Sequence, residues 1–183
     1  MHWKFISLRL LNEKKNYETD FPPRYIAGHG SGLKLLRVAA AIRAAEGDGP
    51  IGDLYTRFGA DVHVHRRRDE LTDHWEAGFP GYLRGAGVAE QYIAEANNEA
   101  WDALLRAEKD EALSRTGNDV GTPVISLFRD GQMYSFFGPV INEVPRGERA
   151  VELWDAMWKL ATFDGFAEIK RTLRGRPNLA ESL

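Results

Sequence analysis

The stretch that decides the reading is Asp119-Val120-Gly121-Thr122-Pro123-Val124-Ile125-Ser126-Leu127-Phe128-Arg129-Asp130-Gly131-Gln132-Met133-Tyr134-Ser135-Phe136-Phe137. Two β-branched and aromatic runs, Val124–Phe128 and Gln132–Phe137, flank Asp130-Gly131. Both central residues of a tight hairpin turn need positive φ, which Asp-Gly tolerates, so the segment reads as a β-hairpin. Gly138-Pro139 closes it. Just ahead, Gly121-Thr122-Pro123 leads into the first strand. Proline lowers the cost of a cis bond at Thr122–Pro123 to about 0.5–1 kcal/mol, and Gly121 brings no Cβ to crowd such a turn.

Downstream, Ala150, Leu153, Trp154, Met157 and Leu160 recur on one side of a helix expected over Arg149–Leu160. A short last helix is expected over Phe163–Leu173, then a tail, 176–183. Upstream the chain reads as helical from about Arg24 to Gly47, weakened by Gly28, Gly30 and Gly32 and opened by Pro22-Pro23. Further helices are expected over Ile51–Phe58, Ala89–Asn97 and Glu99–Leu113, with a break at Phe79-Pro80-Gly81. Asp61–Asp73 is too charged to assign to helix or loop. At the start, Trp3–Leu8 is short, apolar and aromatic, as a strand would be. The order is one strand, about a hundred residues of helix, a hairpin and a helix.

Composition bounds the chemistry. Of 183 residues, 43% are apolar and 28% charged, enough apolar surface for a packed core. The net charge of −3 argues against nucleic acid or an anionic membrane as partner. No apolar run is long enough to span a membrane, and the N-terminus lacks a secretory pattern, so the expected location is cytoplasmic. The sequence contains no cysteine. Within these residues that excludes disulfides, thiolate catalysis and cysteine-based metal sites.

Gly-Thr-Pro ahead of a strand, a hairpin and a helix resembles the C-terminal half of a thioredoxin fold, and the helical block resembles the insertion of its DsbA-like branch. Five segments are similar to the actinobacterial mycothiol-dependent nitroreductases of that branch. They are Ile6–Glu13; Leu54-Tyr55-Thr56 with Gly59 and His63; Asp119–Pro123; Phe136–Val140 with Pro145–Glu148; and Leu153-Trp154-Asp155 with Ile169–Thr172. The resemblance implies an α/β thioredoxin-like fold, α+β-like as truncated. Residues 1–12 and 119–175 would form its thioredoxin-like part and 21–117 an all-helical insertion. It implies a thiol-disulfide oxidoreductase that uses mycothiol, a low-molecular-weight thiol, with no tightly bound cofactor. Asn12, Tyr25, Thr122 and Pro123 would hold the substrate, and the Thr122–Pro123 bond would be cis, as the matching proline is in that superfamily.

Family members open with a strand and a helix bearing Cys-Pro-Trp-Cys, whose first thiolate is activated by the helix N-terminus. By that pattern this chain is expected to lack the first strand and the redox helix and to be inactive as written. Two alternatives stand beside this reading: a non-catalytic thioredoxin-fold module that binds a thiol, peptide or partner, and an isomerase like the chromene-carboxylate branch. An open sheet edge carries the further expectation of self-association.

Other motifs have plainer readings. Asp61, His63, His65, Asp69, Glu70 and His74 include ligand types for zinc, but His63-x-His65 separates its rings on helix or strand alike, and a solvated helical lid is expected. Arg66-Arg67-Arg68 precedes its own acids, which points to self-pairing. Gly28-x-Gly30-x-Gly32 lacks the preceding strand of a nucleotide loop. The carboxylate pairs Asp69/Asp73 and Glu108/Glu111 read as helix surface, and Trp101, Trp154 and Trp158 as core.

Overall fold

The computed structural model describes residues 2–173 and 175. The expected tail lies outside them. The chain divides into two compact units, Met1–Asp110 and Glu111–Leu183. It is helix-rich, with one small antiparallel sheet.

In the first unit, α1 (Leu8–Leu11) and α2 (Tyr17–Asp20) are single turns capped by Ser7 and Asn16. The Ser7 hydroxyl accepts from the Leu10 amide at 3.4 Å, and Asn16 Oδ1 accepts from the Glu18 amide at 3.0 Å. The central helix, α3, runs over Pro23–Glu46. Its glycines do not break it, because Leu35 and Val38–Ile42 anchor its second half in the core. Gly47 stops it at φ 79°. α4 (Gly49–His63) and α5 (Arg68–Asp73) pack on α3, and α6 (Trp75–Gly85) packs on α4.

Pro80 sits inside α6 instead of breaking the segment. One lost hydrogen bond is outweighed there by the burial of Trp75, Phe79, Tyr82 and Leu83 on a single face. The residues Glu90–Asn97 and Glu99–Trp101 wind as 3-10 turns before α7 (Asp102–Thr116).

The expected opening strand is absent: residues 2–7 form no strand, and Leu8 already belongs to α1. Side chains, not a neighbouring strand, satisfy this segment's backbone. The Phe5 amide donates to Glu108 Oε2 at 2.6 Å, and Arg43 Nη1 donates to the Trp3 carbonyl at 2.8 Å. Glu108 also takes Arg43 Nη2 at 2.5 Å. Arg37 grips Asp102 through two parallel bonds of 2.7 and 2.8 Å. Both ion pairs are largely buried.

In the second unit, β1 (Val124–Arg129) and β2 (Gln132–Phe137) pair antiparallel, with Ile125 opposite Phe136 and Phe128 opposite Met133. Asp130 and Gly131 take φ 51° and 82°, as the turn requires. The Gly138 amide closes the ladder on the Pro123 carbonyl at 2.8 Å. α8 (Glu148–Ala161) packs on β2. The stretch expected as a last helix, Phe163–Leu173, is turn and irregular chain. Its large apolar residues are exposed: Phe163, Phe166, Ile169 and Leu173 find no face to bury.

Candidate functional site

Asn12 caps the C-terminus of α1, and its position is held locally. Its side-chain amide donates to the Leu8 carbonyl at 2.9 Å, and its backbone N–H reaches the same oxygen at 3.2 Å. The Tyr17 hydroxyl donates to that carbonyl too, at 3.1 Å. Three donors thus converge on one acceptor and tie α1 to α2.

From Tyr17 an aromatic series continues into α3. Tyr17 stacks on Phe21 with ring centroids 4.7 Å apart, and Phe21 faces Tyr25 at 6.4 Å. His29 stands edge-on to all three rings, and its Nδ1 lies 3.0 Å from the Tyr17 hydroxyl. Asn12 and Tyr25 are therefore linked through Tyr17 and Phe21. Tyr25 is the exposed end of the series, at 41%.

The electrostatics of this corner are cationic. The Arg9 guanidinium lies 3.8 Å over the Tyr17 ring, and its Nη1 is buried without a hydrogen-bond partner. Burial first, then Arg9 and Arg68, hold His29 below its ordinary pKa. His63, at the end of α4, is lowered likewise by burial and Arg68. Its neighbours Asp61, His65 and Arg67 form a knot. Asp61 accepts from the Tyr82 hydroxyl at 2.6 Å and lies 2.7 Å from His65 Nδ1, with Arg67 at 3.4 Å. Burial would raise the Asp61 carboxyl, but those partners together lower it, while burial and the Asp61 bond push the Tyr82 hydroxyl up. Among the described residues no three acids or histidines are grouped to hold a metal ion.

In the second unit, Thr122 and Pro123 lie immediately before β1, both exposed, and the bond between them is cis, as is Gly138–Pro139. A Cβ at Gly121 would lie 3.4 Å from the Phe137 ring, so chain and hairpin approach closely there. An indentation after β2 is lined by Ile141, Val144, Pro145 and Leu153 and includes none of the expected site residues.

A comparison with protein families adds the decisive observation. The family model described as "Rv2466c-like: Mycothiol-dependent nitroreductase Rv2466c" matches residues 1–171. The chain belongs to this family. The match to this mycothiol-dependent nitroreductase family covers nearly the whole sequence, although no cysteine occurs in the 183 residues.

Sequence reasoning singled out Tyr25 but missed Tyr17, Phe21 and His29. The signal was there: Tyr17, Phe21, Tyr25 and His29 recur every four residues, the spacing that stacks side chains along one helical face. Phe21-Pro22-Pro23 hid it, because the prolines interrupt the helix between α2 and α3 without turning the face away.

Proposed function

We propose that this chain is the ligand-holding part of a DsbA-like, thioredoxin-fold reductase and does not itself turn over substrate by thiolate chemistry. The reading assigns Asn12 and Tyr25 to the substrate surface and gives the backbone edge of Thr122 and Pro123 to an extended thiol or peptide. The β1–β2 hairpin with α8 would be the C-terminal half of the thioredoxin fold. The observation that carries the reading is the absence of any cysteine in a chain matched over residues 1–171 by a thiol-dependent reductase family. A mixed disulfide needs a thiolate; serine cannot supply one, and methionine cannot form the bond. Among the described residues no helix is long and apolar enough to cross a membrane.

Two assays test this together. The purified chain, supplied with mycothiol, should reduce neither an insulin disulfide nor a nitroaromatic probe above the buffer rate. Mycothiol should nevertheless shift the amide resonances of Thr122 and of the Asn12 side chain. Protein-dependent turnover would overturn the proposal, and so would turnover-free protein that mycothiol leaves spectroscopically unchanged.

A second reading is favoured by the second unit's surface. Phe128 and Met133, opposite each other on the hairpin, are 66% and 46% exposed, and a two-stranded sheet leaves strand edges open. We infer that the chain self-associates through this hairpin. Sedimentation should show mass rising with concentration, and Phe128→Lys should reduce it. A monomer at every concentration would contradict the inference.

A further inference from the structure

After β2 the chain runs through an irregular stretch whose apolar side chains are uncovered: Val140, Ile141 and Val144 are all exposed. Ile141, Val144 and Pro145, with Leu153 of α8, line an indentation of about 190 Å³. Sites for small organic molecules commonly measure roughly 300–1,000 Å³, so this hollow suits one apolar side chain of a peptide better than a cofactor. Two charged residues border it, Glu143 and Arg149. Both are exposed, and neither has an ion pair with a described residue. Arg149 and Leu153 lie four residues apart on α8 and so share a face. The hollow therefore offers an apolar centre with one acid and one base beside it.

The chain itself returns to this place. Gly175 lies against Asn142, another lining residue, and a Cβ on Gly175 would run into the Asn142 side-chain amide. Eight residues follow in the sequence, Arg176-Pro177-Asn178-Leu179-Ala180-Glu181-Ser182-Leu183. Their order complements the hollow: a cation next to the point where the chain meets Asn142 and Glu143, then a leucine, then an acid. An extended chain advances at most about 3.3–3.6 Å per residue. Leu179, four residues past Gly175, is thus within reach of a hollow whose rim the chain has already met. The family match ends at residue 171, so the segment lies beyond the family pattern.

We propose that the hollow beside α8 is the docking site of this chain's own residues 176–183, with Leu179 in the apolar centre, Arg176 beside Glu143 and Glu181 beside Arg149. Leu179 exchanges water for Ile141, Val144 and Leu153, and the two charge pairs set the direction in which the segment lies. All of these groups belong to the second unit. None is a thiol or one of the residues assigned to the substrate, so the proposal stands or falls separately from the reductase reading. Phe128 and Met133 take no part, which separates it from hairpin self-association as well.

A chain without cysteine accepts a single label cleanly. Ser182→Cys in the full chain, carrying a nitroxide, is read by paramagnetic broadening of amide resonances in dilute protein, against the same sample with the nitroxide reduced. Amides of Ile141, Asn142 and Val144 should lose most of their intensity. Leu179→Asp should return it. Arg176→Glu should return part of it, and adding Glu143→Lys to Arg176→Glu should bring the broadening back. A mixture of spin-labelled chain at natural isotope abundance with unlabelled, nitrogen-15 chain should show no broadening, because segment and hollow belong to one molecule. Undiminished amides, broadening that survives Leu179→Asp, charge reversal at Arg176 without effect, or a double variant without recovery would each overturn the proposal. So would broadening in the mixture, which would make a second copy the occupant.

Discussion

The two units of this protein solve the burial problem differently. In the first, a continuous cluster from Phe5 to Leu105 closes around α3, with Val38, Ala40, Ile42, Ala96 and Leu105 inaccessible to water. In the second, Leu127 is the one large apolar residue among those described that counts as buried. α8 is strongly amphipathic, yet it buries no residue, and Trp154, which the sequence suggested as core, is 45% exposed. The contrast teaches that amphipathicity states a demand for a partner surface and does not supply one. The first unit should hold its structure from within, while the second keeps its apolar faces available for contact.

The largest effect that would break this contrast is expected at Glu108. Glu108→Ala strips the Phe5 amide of its acceptor and leaves Arg43 without its buried counter-charge. Loss of one partner of such a pair costs about 3–5 kcal/mol, and denaturant titration should show it. A loss below about 1 kcal/mol would mean the pair is no more than a surface contact. Next comes the core itself. Leu83 is 1% exposed, so Leu83→Ala should cost about 2–5 kcal/mol through lost burial and the cavity left behind.

A smaller effect concerns pH. His29 titrates below its ordinary value of 6.5, chiefly because it is partly buried and then because of Arg9 and Arg68. The unfolded chain therefore takes up this proton more readily than the folded one. The stability gained by keeping the ring neutral is complete above 6.5 and drains away as pH falls through 6.5 toward the lower folded value. Melting temperature followed from about pH 7.5 to 5.5 should fall less in His29→Gln than in the unchanged protein. An equal fall would show that His29 is not the group responsible. The smallest effect is expected on α8: Val151 is 60% exposed, so Val151→Ala should change stability by about 0.5 kcal/mol or less.

How much of this was legible in the sequence follows from the range of each interaction. The hairpin was legible because Asp130-Gly131 fixes its turn locally and the flanking runs have strand composition. α3 was legible from its proline start and its glycine stop. The opening strand was misread because β-composition in Trp3–Leu8 says nothing about whether a neighbour exists to pair with. Its backbone is instead satisfied by Arg43 and Glu108, 40 and 103 residues away from the atoms they bind. Phe79-Pro80-Gly81 was misread for a related reason: burial on one face overrode a local breaker. At the candidate site, Asn12 and Tyr25 were reached by resemblance, whereas the Arg9 cluster was not.

Hydrogen exchange tests the contrast between the units most directly. Amides of Val38–Ile42 on α3 should exchange only through global unfolding, as expected for residues from 0% to 5% exposed. Hydrogen-bonded amides of β1 and β2 should exchange orders of magnitude faster, through local opening of an under-covered hairpin. Equal protection in both, reached in dilute protein where self-association is absent, would contradict the claim that the described residues of the second unit bury far less than those of the first.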